Sequence, residues 1–132
     1  VAVEPAVYVV EPQTIFLAEL VHLIGAAGGR VARTAAGIDP RRLVPLRADF
    51  AVLDLDYGGM APFEAIAHFC DYAPTVRPIV LTDVCEPGSN RRYRASGAFS
   101  VISKGRDEAQ TIAALRGVLT GEAFFDPLVD AL

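Results

Sequence analysis

Tryptophan is absent from this 132-residue chain, methionine occurs once, and there are two cysteines, Cys70 and Cys85. Two thiols so far apart in sequence exclude a disulfide framework or a zinc site and predict structural thiols in a reducing compartment. Positive charge is also scarce, with 12 Lys and Arg against 16 Asp and Glu, a formal charge of −4 and an isoelectric point near 5.1. Non-specific nucleic-acid binding relies on a basic surface, so this piece is not expected to grip phosphate backbones by itself, and any DNA contact would need another domain. No apolar run approaches the roughly 18 residues needed to span a bilayer. The first ten residues, VAVEPAVYVV, carry neither a basic n-region nor a cleavage site, so the expectation is a cytoplasmic protein without a membrane segment. What is present is 52% hydrophobic residues, enough for the core of one globular domain. Eleven of the 12 basic residues are Arg, and the single lysine is Lys104.

Short apolar runs alternate with helix-like segments. Val7 to Val10, Phe50 to Leu53 and Ile79 to Leu81 are continuous apolar stretches without a period of two, as expected of parallel strands covered on both faces. Val31 to Thr34, nearer an edge, and Phe99 to Ser103 complete five strands. The intervening helices are expected at Thr14 to Ile24, with Ile15, Phe16, Leu20, Leu23 and Ile24 on one face, then at Pro40 to Leu46, Pro62 to Asp71, Ser89 to Ser96 and Asp107 to Leu119. Asp107 and Glu108 open the last of these where a helix dipole favours negative charge, and Ile112, Leu115 and Leu119 recur at helical spacing. Alternating β and α with short connections predicts an α/β fold: a doubly wound, five-stranded parallel sheet with helices on both faces. Residues 121–132 read as a terminal extension or the start of a linker, with Phe124, Phe125, Leu128 and Leu132 exposed or loosely docked.

In such a sheet ligands bind outside the carboxyl ends of the strands. The residues there are polar: Glu11-Pro12 after the first strand, Asp54-Leu55-Asp56 after the third, Thr82-Asp83 after the fourth and Ser103-Lys104 after the fifth. Carboxylates converging on an ammonium and a hydroxyl suit formation of an acyl phosphate, with Asp as nucleophile, a hard cation to neutralise phosphate, and Lys and Thr to hold its oxygens. The bland alternative for each residue alone is a polar strand cap.

These residues resemble the receiver domains of two-component response regulators, over roughly residues 6–120. Asp49-Phe50-Ala51-Val52-Leu53-Asp54 is similar to the family's acid, four apolar residues and phosphoacceptor Asp. Thr82 resembles the hydroxyl residue ending strand four, Gly97-Ala98 precedes strand five, and Lys104 resembles the family's lysine. The intervals of 28 residues from Asp54 to Thr82 and 22 from Thr82 to Lys104 match as well. Residues Ala114 to Glu122 resemble the last receiver helix and exit of NarL/LuxR-type regulators, whose next module is a helix-turn-helix domain. The resemblance implies a flavodoxin-like receiver at 1–120, with 121–132 leading towards that DNA-binding domain. It further implies a non-enzymatic signal-input module, a histidine kinase that phosphorylates Asp54, phosphoryl oxygens held by Thr82 and Lys104, Mg²⁺ on Glu11, Asp54 and Asp56, and a homodimer regulated through the face of the fourth helix, fifth strand and fifth helix.

The departures predict an atypical receiver. Pro12 stands where the family has a second acid and offers neither a carboxylate nor an amide N–H, which weakens Mg²⁺ unless Asp56 substitutes. Asp83 replaces a small residue and would repel a phosphodonor of roughly −2 charge. Gly58 and Gly105 replace prolines, and Val101 replaces an aromatic that many receivers swing inward on activation. Without a firmly held cation, Glu11, Asp54, Asp56 and Asp83 face one another with Lys104 to compensate. This predicts a protonated or hydrogen-bonded carboxyl, or a constitutive Asp54–Lys104 ion pair. The alternative function is a small-molecule-sensing or dimerisation module independent of phosphate. A more remote alternative is a haloacid-dehalogenase-type phosphohydrolase, which also uses Asp-x-Asp, Thr or Ser, and Lys, but has its first motif on the first strand. Gly25 to Gly29 reads as a helix cap and turn, Arg91, Arg92 and Arg94 as a solvated helix face or a partner contact, His22 and His68 as structural, and Cys85 as exposed.

Overall fold

Apolar runs without alternation become the centre of a sheet because both of their faces must be covered. In the computed structural model, which describes residues 4–38, 47–56 and 61–131, this holds strand by strand. The elements are β1 (Ala6–Val10), α1 (Thr14–Ala26), β2 (Arg30–Ala35), β3 (Phe50–Asp54), α2 (Pro62–Tyr72), β4 (Arg77–Thr82), α3 (Ser89–Ser96), β5 (Ser100–Ser103) and α4 (Glu108–Leu119), followed by a 3₁₀ turn over Pro127–Asp130. The helix expected at 40–46 and the Gly58 position lie outside the described residues. All pairings are parallel, in the order β2-β1-β3-β4-β5, so the flavodoxin-like sheet and the edge position of β2 are both observed. None of the helices among the described residues is long and apolar enough to cross a membrane.

Successive residues of β1 divide the core in two. Val7 and Val9 join Val52, Ile79 and Ile102 beneath α1 and α4, whereas Tyr8 and Val10 join Ala51, Leu53 and Val80 beneath α2 and α3. The expected face of α1 is corrected at its start. Leu20, Leu23 and Ile24 are buried, but Ile15 is 84% and Phe16 49% exposed. Gly28 then takes a φ of +98°, and Gly29 leaves room for Ile24 and Leu119, whose methyls would lie 2.9 and 3.0 Å from a Cβ there. The glycine-rich stretch is therefore a turn, as expected. At α4 the side chain of Asp107 accepts from the Gln110 amide and the Gln110 side chain accepts from the Asp107 amide, forming a capping box.

The segment after α4 is more firmly held than a linker. The Val101 amide donates to the Phe124 carbonyl and the Asp126 amide donates to the Val101 carbonyl, so residues 124–126 cover the free edge of β5. Asp126 and Val129 are wholly buried, Phe124 and Phe125 are half-buried, and Leu128 is exposed. The Glu86 amide, before α3, donates to the Val129 carbonyl, and the Asn90 amide donates to Asp130. The arginines of α3 are also not simply solvated: Arg92 lies 3.9 Å over the Phe63 ring and Arg94 4.2 Å over Phe125. His22 meets Glu108 at 3.3 Å on the surface between α1 and α4, and Cys85 is exposed.

Candidate functional site

The chain winds outward from β1 in both directions, to β2 on one side and β3 on the other, so a crevice opens at the carboxyl ends of β1 and β3. The polar strand ends converge on it. Glu11 follows β1 directly, with its backbone amide tied to the Ala35 carbonyl, and is buried. Asp54 ends β3 and Thr82 ends β4. Ser103 pairs with Thr82, and the Lys104 amide donates to the Thr82 carbonyl, which carries the ammonium into the same space.

Lys104 Nζ lies 2.8 Å from Asp54 Oδ2 and 2.8 Å from Asp56 Oδ2, so the expected ion pair is present and shared between two carboxylates. Asp56 is also held by β4: Thr82 Oγ1 donates to its Oδ1 at 2.7 Å, and the Asp83 amide donates to its Oδ2 at 3.0 Å. Burial alone would push the Asp56 carboxyl up, but the bonds from Lys104, Thr82 and Asp83 outweigh it and hold the group below the ordinary carboxylate value. Burial works against the Lys104 ammonium too, and its two carboxylate partners overcome this to raise its pKa. At neutral pH Asp56 and Lys104 are therefore both charged. Asp83 stands exposed at the mouth, its carboxyl raised first by a hydrogen bond with Asp56 and then by burial.

Glu11 behaves differently. Its Oε1 accepts from the Gln13 amide at 3.0 Å, while its buried Oε2 has no partner as a carboxylate. Burial, then a hydrogen bond to Asp54 that requires a proton, raises its pKa from 4.5 to about 7. The crowding of acids predicts a raised carboxyl, and here burial is the larger cause, with Asp54 adding to it. Glu11 also bears on Mg²⁺. Glu11 and Asp54 can face a cation, Pro12 cannot, and Asp56 has both oxygens committed to Thr82, Asp83 and Lys104. The substitute-ligand role expected of Asp56 is thus corrected by its position, and no group of three or more potential ligands exists among the described residues. With Pro12 offering no ligand, two carboxylates, Glu11 and Asp54, remain to face a reluctantly dehydrating octahedral cation, a poorer set than three would be.

Two further arrangements were not foreseen in the sequence. A cavity of about 170 Å³ continues from Glu11, Asp54 and Lys104 between α1 and α4, walled by Phe16, Leu20, Leu23 and Leu81. Arg106, also on its wall, donates to Asp126 at 3.0 Å through Nε and at 2.7 Å through Nη2. Asp126 accepts as well from the Ser103 and Leu128 amides, and these bonds overcome its burial to hold the carboxyl below its ordinary value. The loop that delivers Lys104 is thereby tied to the C-terminal segment. Arg106 was visible as a basic residue two positions after Lys104, whereas no local pattern marks Asp126. Gly105, at the turn between them, donates its amide to Ser103 Oγ at 3.0 Å, and Val101 is wholly buried behind the docked segment.

No family model and no curated protein matches the chain. Solved structures do. A LuxR-family two-component response regulator from Aurantimonas sp. SI85-9A1 superposes with a TM-score of 0.83 at 22% identity, covering 96% of this chain and 93% of that one. The isolated REC domain of RcsB from Salmonella enterica serovar Typhimurium, in the presence of the phosphomimetic BeF3−, gives 0.79 at 17% identity with 96% of both chains covered. A response regulator from Burkholderia pseudomallei with a phosphorylated aspartic acid, a calcium ion and citrate gives 0.70 at 23% identity over 89% of this chain and 69% of that chain. The fold is that of response-regulator receiver domains.

Proposed function

We propose that this chain is the signal-input receiver of a transcriptional response regulator, with Asp54 as candidate phosphoacceptor, whose altered pocket acts without phosphate to control dimerisation and DNA binding by an attached effector. The observation that carries the reading is the meeting of Asp54, Thr82 and Lys104 at three neighbouring strand ends, where Thr82 and Lys104 both bond to Asp56 and Lys104 also pairs with Asp54. Thr82 and Lys104 are the groups suited to phosphoryl oxygens, and both are already engaged. Pro12 takes one carboxylate away from the cation site that phosphotransfer to Asp54 would need, and Asp83 sets a carboxyl at the entrance. In this reading a cytoplasmic homodimer acts through residues 121–132, which lead from the receiver at 1–120 to a helix-turn-helix domain. The Arg106–Asp126 pair supports such a route from pocket to exit.

The test is intact mass after incubation with Mg²⁺ and acetyl phosphate, native beside Asp54→Ala, together with the oligomeric state of each. The expected result is no adduct and an unchanged oligomer. A phosphate adduct on the native chain that Asp54→Ala lacks would restore a conventional kinase-driven switch and overturn phosphate independence. The half-apolar cavity between α1 and α4 favours a second reading, in which the input is a small molecule seated beside Glu11. Ligand-induced stabilisation of the native chain, reduced by Leu20→Ala, would support it.

A further inference from the structure

The backbone that carries the three donors on Asp56 is set by the sheet and not by Asp56. Thr82 and the Asp83 amide stand at the end of β4, and Lys104 follows β5, which is in register with β4. Asp56 reaches them from β3 by a turn in which its own amide donates to Asp54 Oδ1 at 3.3 Å, folding the chain back over the strand end. A hydroxyl, a backbone N–H and an ammonium all aimed at two oxygens form an anion site, and a carboxylate presents two oxygens much as one edge of a tetrahedral oxyanion does.

We propose that Asp56 is a tethered occupant of an oxyanion site formed by Thr82 Oγ1, the Asp83 N–H and Lys104 Nζ, and that it keeps the native pocket closed to phosphate-class anions. The inference deepens the reading of the pocket given above and rests on it. A competitor attached two residues from the site acts at a high effective concentration, so a free anion must displace it at a large cost in apparent affinity. With the carboxylate removed, the part-buried donors of Thr82 and Lys104 lose a partner, and an incoming anion restores their bonds. Asp83 then changes role: its amide serves as a donor to the anion while its carboxyl stays at the mouth.

The experiment is a titration with inorganic phosphate at constant ionic strength, followed through the amide resonances of Thr82, Asp83 and Lys104, on native protein, Asp56→Ala and the isosteric Asp56→Asn. The expected result is saturable binding to Asp56→Ala at least about 10-fold tighter than to the native chain, with Asp56→Asn between the two because its amide keeps the Thr82 bond and loses the charge. Adding Lys104→Met to Asp56→Ala should abolish the gain. Equal affinity of native and folded variants would overturn the proposal, as would a gain that survives Lys104→Met. Should Asp56→Ala unfold, Asp56→Asn alone decides by the same criterion. The native adduct assay judges phosphate independence separately, so failure of the tethered-anion inference and failure of the receiver reading give different results.

Discussion

Replacing Glu11 by Gln should make the protein more stable, and only at neutral and alkaline pH. The carboxyl has a folded pKa of about 7 against its ordinary 4.5, raised mainly by burial and by the hydrogen bond to Asp54. Below the lower value both folded and unfolded chains carry the proton, and Glu11 costs the fold nothing. Between the two values the unfolded chain releases its proton while the folded chain holds it, so stability falls as pH rises. Above the higher value the deficit is constant. At roughly 1.4 kcal/mol per pH unit the full deficit is about 3 kcal/mol, an upper figure for a site open to the crevice. Gln keeps an oxygen for the Gln13 amide and places an N–H where the unpartnered Oε2 stood, a permanent donor towards Asp54. Urea unfolding followed by circular dichroism should therefore show the two proteins alike near about pH 4 and Glu11→Gln ahead by up to about 3 kcal/mol near about pH 8. Taking the difference between the proteins cancels the titration of the other carboxyls. A difference that stays constant with pH, or a variant less stable at the alkaline end, would refute the protonated-carboxyl argument.

Lys104→Met leaves Asp54 and Asp56 buried side by side without their shared cation. A loss of roughly 3 kcal/mol is expected at neutral pH, towards the low end for breaking a buried pair because the lysine retains some exposure, and an unchanged melting temperature would count against the shared ion pair. Asp126→Asn tests the tie between pocket loop and tail. Because the Asp126 carboxyl is held below its ordinary value, it contributes stability above the unfolded pKa, and that contribution is lost as pH falls through the folded one. The variant should be less stable at neutral pH, lose less on acidification, and exchange the amides of 124–130 faster in hydrogen exchange. Tail protection equal to that of the native chain would rule out Asp126 as the anchor.

How much of this was legible depends on whether the information is local. The apolar runs over 7–10, 50–53 and 79–81 point to a sheet covered on both faces because they are short, rich in β-branched residues and without alternation, and the strand ends then follow by topology. That is why Asp54, Thr82 and Lys104 could be placed together before their distances were known. Face assignments fail where an apolar face is only partly covered. Ile15 and Phe16 share the apolar spacing of Leu20 and Leu23, but they are exposed at the start of α1, and periodicity carries no record of where the partner surface stops. Phe124 and Phe125 look like an unattached apolar end because the contacts that dock them, with Val101, Ser100 and Arg94, come from at least 23 residues earlier in the chain.

Asp56 shows the limit most sharply. Two positions after Asp54, an extended chain would carry its carboxylate to the same side as Asp54. The strand stops at Asp54, however, and the Asp56 amide turns back onto Asp54 Oδ1, which swings the side chain across to β4. A one-residue difference in where the ladder ends thus converts a metal ligand into an occupant of the anion site. The same turn explains why the changes at Pro12 and Asp56 belong together. With the cation site weakened by Pro12, Lys104 is the charge that compensates these carboxylates, and the second carboxylate in its shell is the one that satisfies Thr82 and the Asp83 amide. A variant that restores an acid at position 12 while leaving Asp56 in place should therefore regain cation affinity without opening the oxyanion site.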